Sequence, residues 1–146
     1  MKKKLITIVS LVVALLVFTA CGLGAPPIQQ WIDSEADPIV AEAFKDTEGV
    51  KYSIEQTGDT EVTVNFCFDG AAEVAVYAED YSSARDTWNS LRDSMVSFTT
   101  SMKTNAHNYG IDTITVRVNL VNDKNNDLVL MSIVDDQVIY DCVVNE

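Results

Sequence analysis

Seven apolar residues recur at spacings that alternate three and four: Tyr81, Ala84, Trp88, Leu91, Met95, Phe98 and Met102. That rhythm follows the 3.6-residue helical period and sets all seven on one face of a single long helix. The positions between them are rich in Ser, Thr and Asn, which form helices poorly. Packing of the stripe must therefore hold this helix, and the stripe needs an apolar layer to lie on. A coiled-coil seam is the competing use, but Trp88 and Phe98 are large for a narrow dimer seam and ordinary against a sheet. Asn108-Tyr109-Gly110 closes the helix.

The rest of the chain supplies that layer. Residues 50–57 alternate, with Val50, Tyr52 and Ile54 on one side and Lys51, Ser53 and Glu55 on the other. After Gly58-Asp59, Val62, Val64, Phe66 and Phe68 alternate again, so the two runs form a β-hairpin. Residues 71–79 fit either helix or strand. Residues 111–121 form a strand with Ile114, Val116, Val118 and Leu120 on one face. A polar loop follows, then a strand over 128–134 and another over 138–144. At the front, residues 28–48 read as helical and Gly49 ends them. Asp37-Pro38 suits a helix start, with Asp as cap and Pro in the first turn, so two short helical pieces or one kinked helix are expected. The expected class is α+β: a two-layer sandwich in which an antiparallel sheet of four or five strands carries a long amphipathic helix and a short N-terminal helix. Residues 28–146 are long enough for one domain with one core.

The N-terminus is of a different kind. Lys2, Lys3 and Lys4 precede an apolar run over 5–18, and small residues Thr19 and Ala20 lead to Cys21. Positive start, short apolar stretch and small residues at the cut are the marks of an export signal over residues 1–20. As helix, residues 5–20 reach about 24 Å, short of a ~30 Å hydrocarbon core. Residues 21–27, with Gly22, Gly24, Pro26 and Pro27, read as a tether. Beyond residue 20 the chain holds seven basic residues against 22 acidic ones, a net of −15. So acidic a surface repels nucleic acid and anionic headgroups, which argues against a nucleic-acid partner.

Phe18-Thr19-Ala20-Cys21 resembles the lipobox of bacterial lipoproteins, with Phe18 where that pattern usually has an aliphatic residue. The resemblance implies lipidation of Cys21 and cleavage before it. The membrane would then be reached through a lipid on Cys21, at the extracytoplasmic face of the cell membrane. The whole layout also resembles a family of small uncharacterised lipoproteins of Gram-positive bacteria. The likeness rests on residues 28–48, on Val50-Lys51-Tyr52-Ser53-Ile54-Glu55 followed by Gly58-Asp59-Thr60-Glu61-Val62, and on residues 110–120. That family has no assigned activity and implies no catalytic residue.

Candidate chemistry is sparse. Export makes a disulfide between Cys67 and Cys142 permissible. It would be worth about 4 kcal/mol in the chain-entropy model, provided that the two strands are neighbours. Two unpaired, partly buried thiols are the other reading. Asp123-Lys124-Asn125-Asn126-Asp127 has the oxygen spacing of half a calcium loop, but Leu128 and Val134 stand where its glycine and closing glutamate belong, so a plain hairpin loop is expected. His107, the lone histidine, falls near a helix end among polar neighbours. No nucleophile elbow, phosphate loop or zinc spacing occurs, and no catalytic residue, metal or cofactor is expected. The function that fits is a non-enzymatic binding or accessory module of the envelope, touching a protein, peptide or wall component. Its face would comprise Lys51, Ser53, Glu55, Thr63, Asn65, Thr115, Arg117 and Asn119. The alternative is an envelope hydrolase using a carboxylate pair, which needs a deep pocket with converging acids.

Overall fold

The computed structural model describes residues 27–144; the export signal expected over 1–20, the lipidation expected at Cys21 and nearly all of the expected tether lie outside them. The chain begins with helix α1 (Ile28–Trp31), a π-helical turn (Ile32–Ala36) and helix α2 (Asp37–Phe44). Two strands follow, β1 (Val50–Gln56) and β2 (Glu61–Phe68), then helices α3 (Ala71–Asp80) and α4 (Ser82–Tyr109). Strands β3 (Thr115–Val121), β4 (Val129–Val134) and β5 (Gln137–Asp141) finish the domain.

The five strands form one sheet in the order β1-β2-β3-β4-β5. The expected α+β sandwich is thus present. Three of the four strand pairs are antiparallel, and the central pair, β2 with β3, is parallel. The departure from a wholly antiparallel sheet has a geometric cause. The connection between β2 and β3 carries both α3 and α4, and α4 alone has 28 residues, about 42 Å of helix. A crossover of that length returns the chain to the end where β2 began, so β3 starts alongside β2.

Apolar alternation sets which face the helices cover. Val62, Val64, Phe66, Phe68, Val116, Val118 and Leu120 all point into the core and are buried. From α4, Ala84, Trp88, Leu91, Met95, Phe98 and Met102 are fully buried against them. Phe66 stacks on Phe68 and meets Phe98 and Phe44 edge-on, with centroids 5.2–5.7 Å apart, a favourable aromatic geometry. The two tryptophans are each pinned by a distant acceptor. Trp31 Nε1 donates to Asn105 Oδ1 at 2.7 Å, and Trp88 Nε1 donates to Asp141 Oδ1 at 2.9 Å.

Three local expectations change. Tyr81 is not part of the stripe: it is extended (φ −121°, ψ 120°) and exposed, and it separates α3 from α4. Arg85 bridges this joint by donating to the Ala78 and Glu79 carbonyls at 2.9 and 2.6 Å, which satisfies acceptors at the end of α3. The ambiguous 71–79 segment is helix, with Ala71, Val74, Ala75 and Ala78 buried. Asp37 caps nothing, because residue 36 is already helical. The chain instead widens by one residue, the Asp37 N–H reaching the Ile32 carbonyl. Pro38, which has no N–H to give, follows without a missing bond in an α ladder. At its far end α4 stops at Gly110 (φ 106°), where Gly110 N–H and Ile111 N–H donate to the His107 and Ala106 carbonyls. This Schellman closure needs a left-handed residue, and Gly takes that conformation without a Cβ penalty.

Candidate functional site: the bare face of the sheet

Helices cover one face of the sheet and leave the other open. Pairing register decides what stands there. Lys51, Ser53 and Glu55 lie opposite Cys67, Asn65 and Thr63. Thr63 and Asn65 pair in turn with Arg117 and Asn119, and Glu61 with Thr115. Asn119 pairs with Ser132. The eight positions expected to form a polar face therefore share one face.

These side chains are tied together. Asn65 Nδ2 donates to Ser53 Oγ at 3.3 Å, Asn119 Nδ2 to Asn65 Oδ1 at 3.0 Å, and Ser132 Oγ to Asn119 Oδ1 at 2.8 Å. The chain of bonds crosses β1, β2, β3 and β4 in one line. Beside it, Arg117 Nε lies 3.4 Å from Glu61 Oε1, and Arg117 Nη1 lies 3.5 Å from Ser132 Oγ. The Thr57 hydroxyl donates to Glu61 Oε1 at 3.2 Å and lies 2.8 Å from that of Thr63. Ser132 was not among the expected face residues. The signal was available: Leu130, Ser132 and Val134 share one parity, and a serine there marks the polar side of an otherwise apolar strand.

At one end the face dips into a cavity of about 360 Å³, lined by Lys51, Tyr52, Ser53, Asn65, Phe66, Cys67, Val121, Asn126 and Val129. Lys51 stands at the exposed rim. The Cys67 sulfur lies 4.0 Å from Asn126 Oδ1. Burial pushes the Cys67 thiol up, the Asp123 carboxylate adds to this, and Lys51 opposes it. A thiol so placed stays protonated at neutral pH and is a poor nucleophile.

The two thiols do not meet. Both are free, and β2 is separated from β5 by β3 and β4, a span of about 14 Å at ordinary strand spacing. The expected condition for a Cys67–Cys142 disulfide, neighbouring strands, is not met, because β3 and β4 both lie between β2 and the end of β5 where Cys142 follows. Cys142 packs against the core, and burial first, then the Asp141 charge, raises its thiol to about 11.

Asp123 is engaged within the fold. Its two oxygens accept from Gly70 N–H at 3.0 Å and Ala72 N–H at 2.9 Å, which caps α3 from another loop. Burial alone would raise its pKa, but the donors from Ala72 and Gly70 together with Lys124 hold it below the usual 3.8. Asn122 Oδ1 accepts from the Lys124 and Asn125 N–H groups at 2.8 and 3.1 Å, so the loop is folded on its own side chains. Among the described residues no group of three His, Cys, Asp or Glu side chains could hold a metal ion. His107 is exposed in the last turn of α4.

A second cavity, of about 480 Å³, is lined by Pro27, Ile28, Gln56, Asp59, Thr60, Ile111, Asp112 and Thr113. Both of its acids are exposed, whereas a carboxylate-pair hydrolase uses one acid shielded enough to keep its proton. No described helix is long and apolar enough to cross a membrane. No known protein family, curated protein or solved structure matches the chain.

Proposed function

We propose that this chain is a lipid-anchored envelope protein whose domain binds a protein, peptide or wall component through the bare face of its sheet, without catalysing a reaction. The observation that carries the binding reading is the line Ser53-Asn65-Asn119-Ser132, hydrogen-bonded across four strands beside the Lys51–Cys67 cavity. Side chains already held by one another lose little conformational freedom when a partner arrives, so such a face is preorganised for polar recognition. The anchor rests on the sequence from Lys2 to Cys21, and its placement would be the extracytoplasmic face of the cell membrane. A photo-crosslinking residue at position 53, used in intact envelopes, tests the face. Enrichment of a specific species that Asn119→Lys abolishes supports it; enrichment no greater than from an exposed helix position such as 93 removes it.

The competing reading is an envelope hydrolase using a carboxylate pair. Its nearest candidates are Asp59 and Asp112 at the second cavity. Wall hydrolysis by the purified chain that Asp112→Asn abolishes would favour it over the binding reading.

A further inference from the structure

The two edges of the sheet differ in kind. β1 presents the charged and exposed Lys51 and Glu55, which blunt an edge against further pairing. β5 has no charged side chain from Gln137 to Tyr140, and no described strand pairs along its outer side. Its Val138, Ile139 and Tyr140 are 41%, 58% and 41% exposed. Exposed apolar residues on an unpaired edge are a template for another strand.

A built feature stands at the end of that edge. Asp141 is only 2% exposed. Its Oδ1 accepts from Trp88 Nε1 and from Val143 N–H at 2.9 and 3.0 Å. Its Oδ2 is buried and receives no hydrogen bond; the nearest cation, Arg92 Nη1, lies 3.7 Å away. Arg92, Val138, Ile139, Asp141 and Val144 line a cavity of about 310 Å³ there, about ten waters' worth of space. Arg92 also faces the exposed Asp93 at 3.6 Å, so one guanidinium is shared between two carboxylates. A buried carboxylate oxygen lacking a donor is an incomplete interaction that an incoming cation or N–H can complete.

We propose that β5 takes up an extended, cationic peptide segment as a sixth strand, with apolar side chains against Val138, Ile139 and Val144 and a lysine or arginine reaching Asp141. This surface is distinct from the bare face and does not depend on it. Charge selects the occupant. With −15 beyond residue 20, a second copy is repelled while a basic segment is drawn in. Antiparallel addition brings the leading residue of the segment beside Asp141, so the cation belongs at its N-terminal end.

The test uses the full chain purified in mild detergent and two fluorescent peptides, an acetylated Lys-Val-Thr-Val-Thr-Val and its Glu-led counterpart, followed by fluorescence polarisation. The Lys-led peptide should bind saturably, and the Glu-led one at least about tenfold more weakly. Ile139→Lys, a change at an exposed position, should weaken the Lys-led peptide at least about tenfold while leaving the thermal midpoint unchanged. Amide exchange at residues 138–140 should slow when the peptide binds. Equal binding of the two peptides, no saturation by about 1 mM, or binding indifferent to Ile139→Lys overturns the proposal. A dimeric chain whose β5 amides are protected before peptide is added also overturns it, since the occupant is then a second copy.

Discussion

Asp123 joins the β3–β4 loop to the first turn of α3. Gly70 (φ 88°) stands at the cap position of that helix and has no side chain to offer, so the acceptor comes from 53 residues away. Asp123→Ala should cost about 1 to 2 kcal/mol in a urea titration at pH 7, the range for a lost helix cap. The sign with pH is fixed by the lowered pKa. The carboxylate stabilises the fold above the unfolded value of 3.8, and that contribution disappears as pH falls through the lower folded value. The gap between wild type and Asp123→Ala should therefore close in acid. The same scale governs the thiols. With Cys142 near 11, its thiolate is scarce at neutral pH. Iodoacetamide should modify Cys67 before Cys142 at pH 7.5, and mass mapping should show Cys142 labelling accelerate as pH rises toward 11. On the bare face, Asn119 both donates to Asn65 and accepts from Ser132. Asn119→Ala should destabilise by about 1 to 2 kcal/mol, measured by denaturant titration, because the half-buried Asn65 and the buried Ser132 each lose a bond.

Among the elements, α4 was the most legible, since a period sustained over many residues outweighs poor helix propensity at the positions between. It begins one residue later than the spacing predicts, for a physical reason. Tyr81 keeps the stripe's spacing but sits in the joint with α3, where its ring packs on Tyr77 at 5.8 Å instead of entering the core. The bare face was legible residue by residue, because strand parity alone decides it. The bonds along it depend on cross-strand register, which parity does not give. The Asp123 cap and the Asp141 site were hidden for another reason: both join residues 50 or more positions apart through the crossover. Trp88 belongs to the same scale, locking α4 to the end of β5. Trp88→Phe keeps an apolar ring but leaves Asp141 with one donor fewer. A loss of about 1 to 3 kcal/mol should follow in thermal or urea unfolding, with weaker amide protection at residues 141–143.

For the whole molecule, charge and attachment divide the work. A domain this acidic gains nothing from anionic headgroups, so membrane association in the proposed function depends on Cys21. Cys21→Ala should move the protein from the membrane pellet to the soluble fraction, and mass spectrometry of the wild-type N-terminus should find a lipid there. Retention of Cys21→Ala in the pellet at high salt, or an unmodified Cys21, would remove the anchor from the proposal.

The parallel pair at the centre of the sheet has a kinetic consequence. β1 and β2 can meet through a short turn, and β3, β4 and β5 can meander together in the same local way. Only the β2–β3 seam unites these two halves, and it closes after some 46 intervening residues have been wound into α3 and α4. Loop closure of that kind is slow compared with hairpin formation. The seam should be the late step of folding, and a chain emerging from its N-terminus would carry an unfinished sheet until β3 arrives.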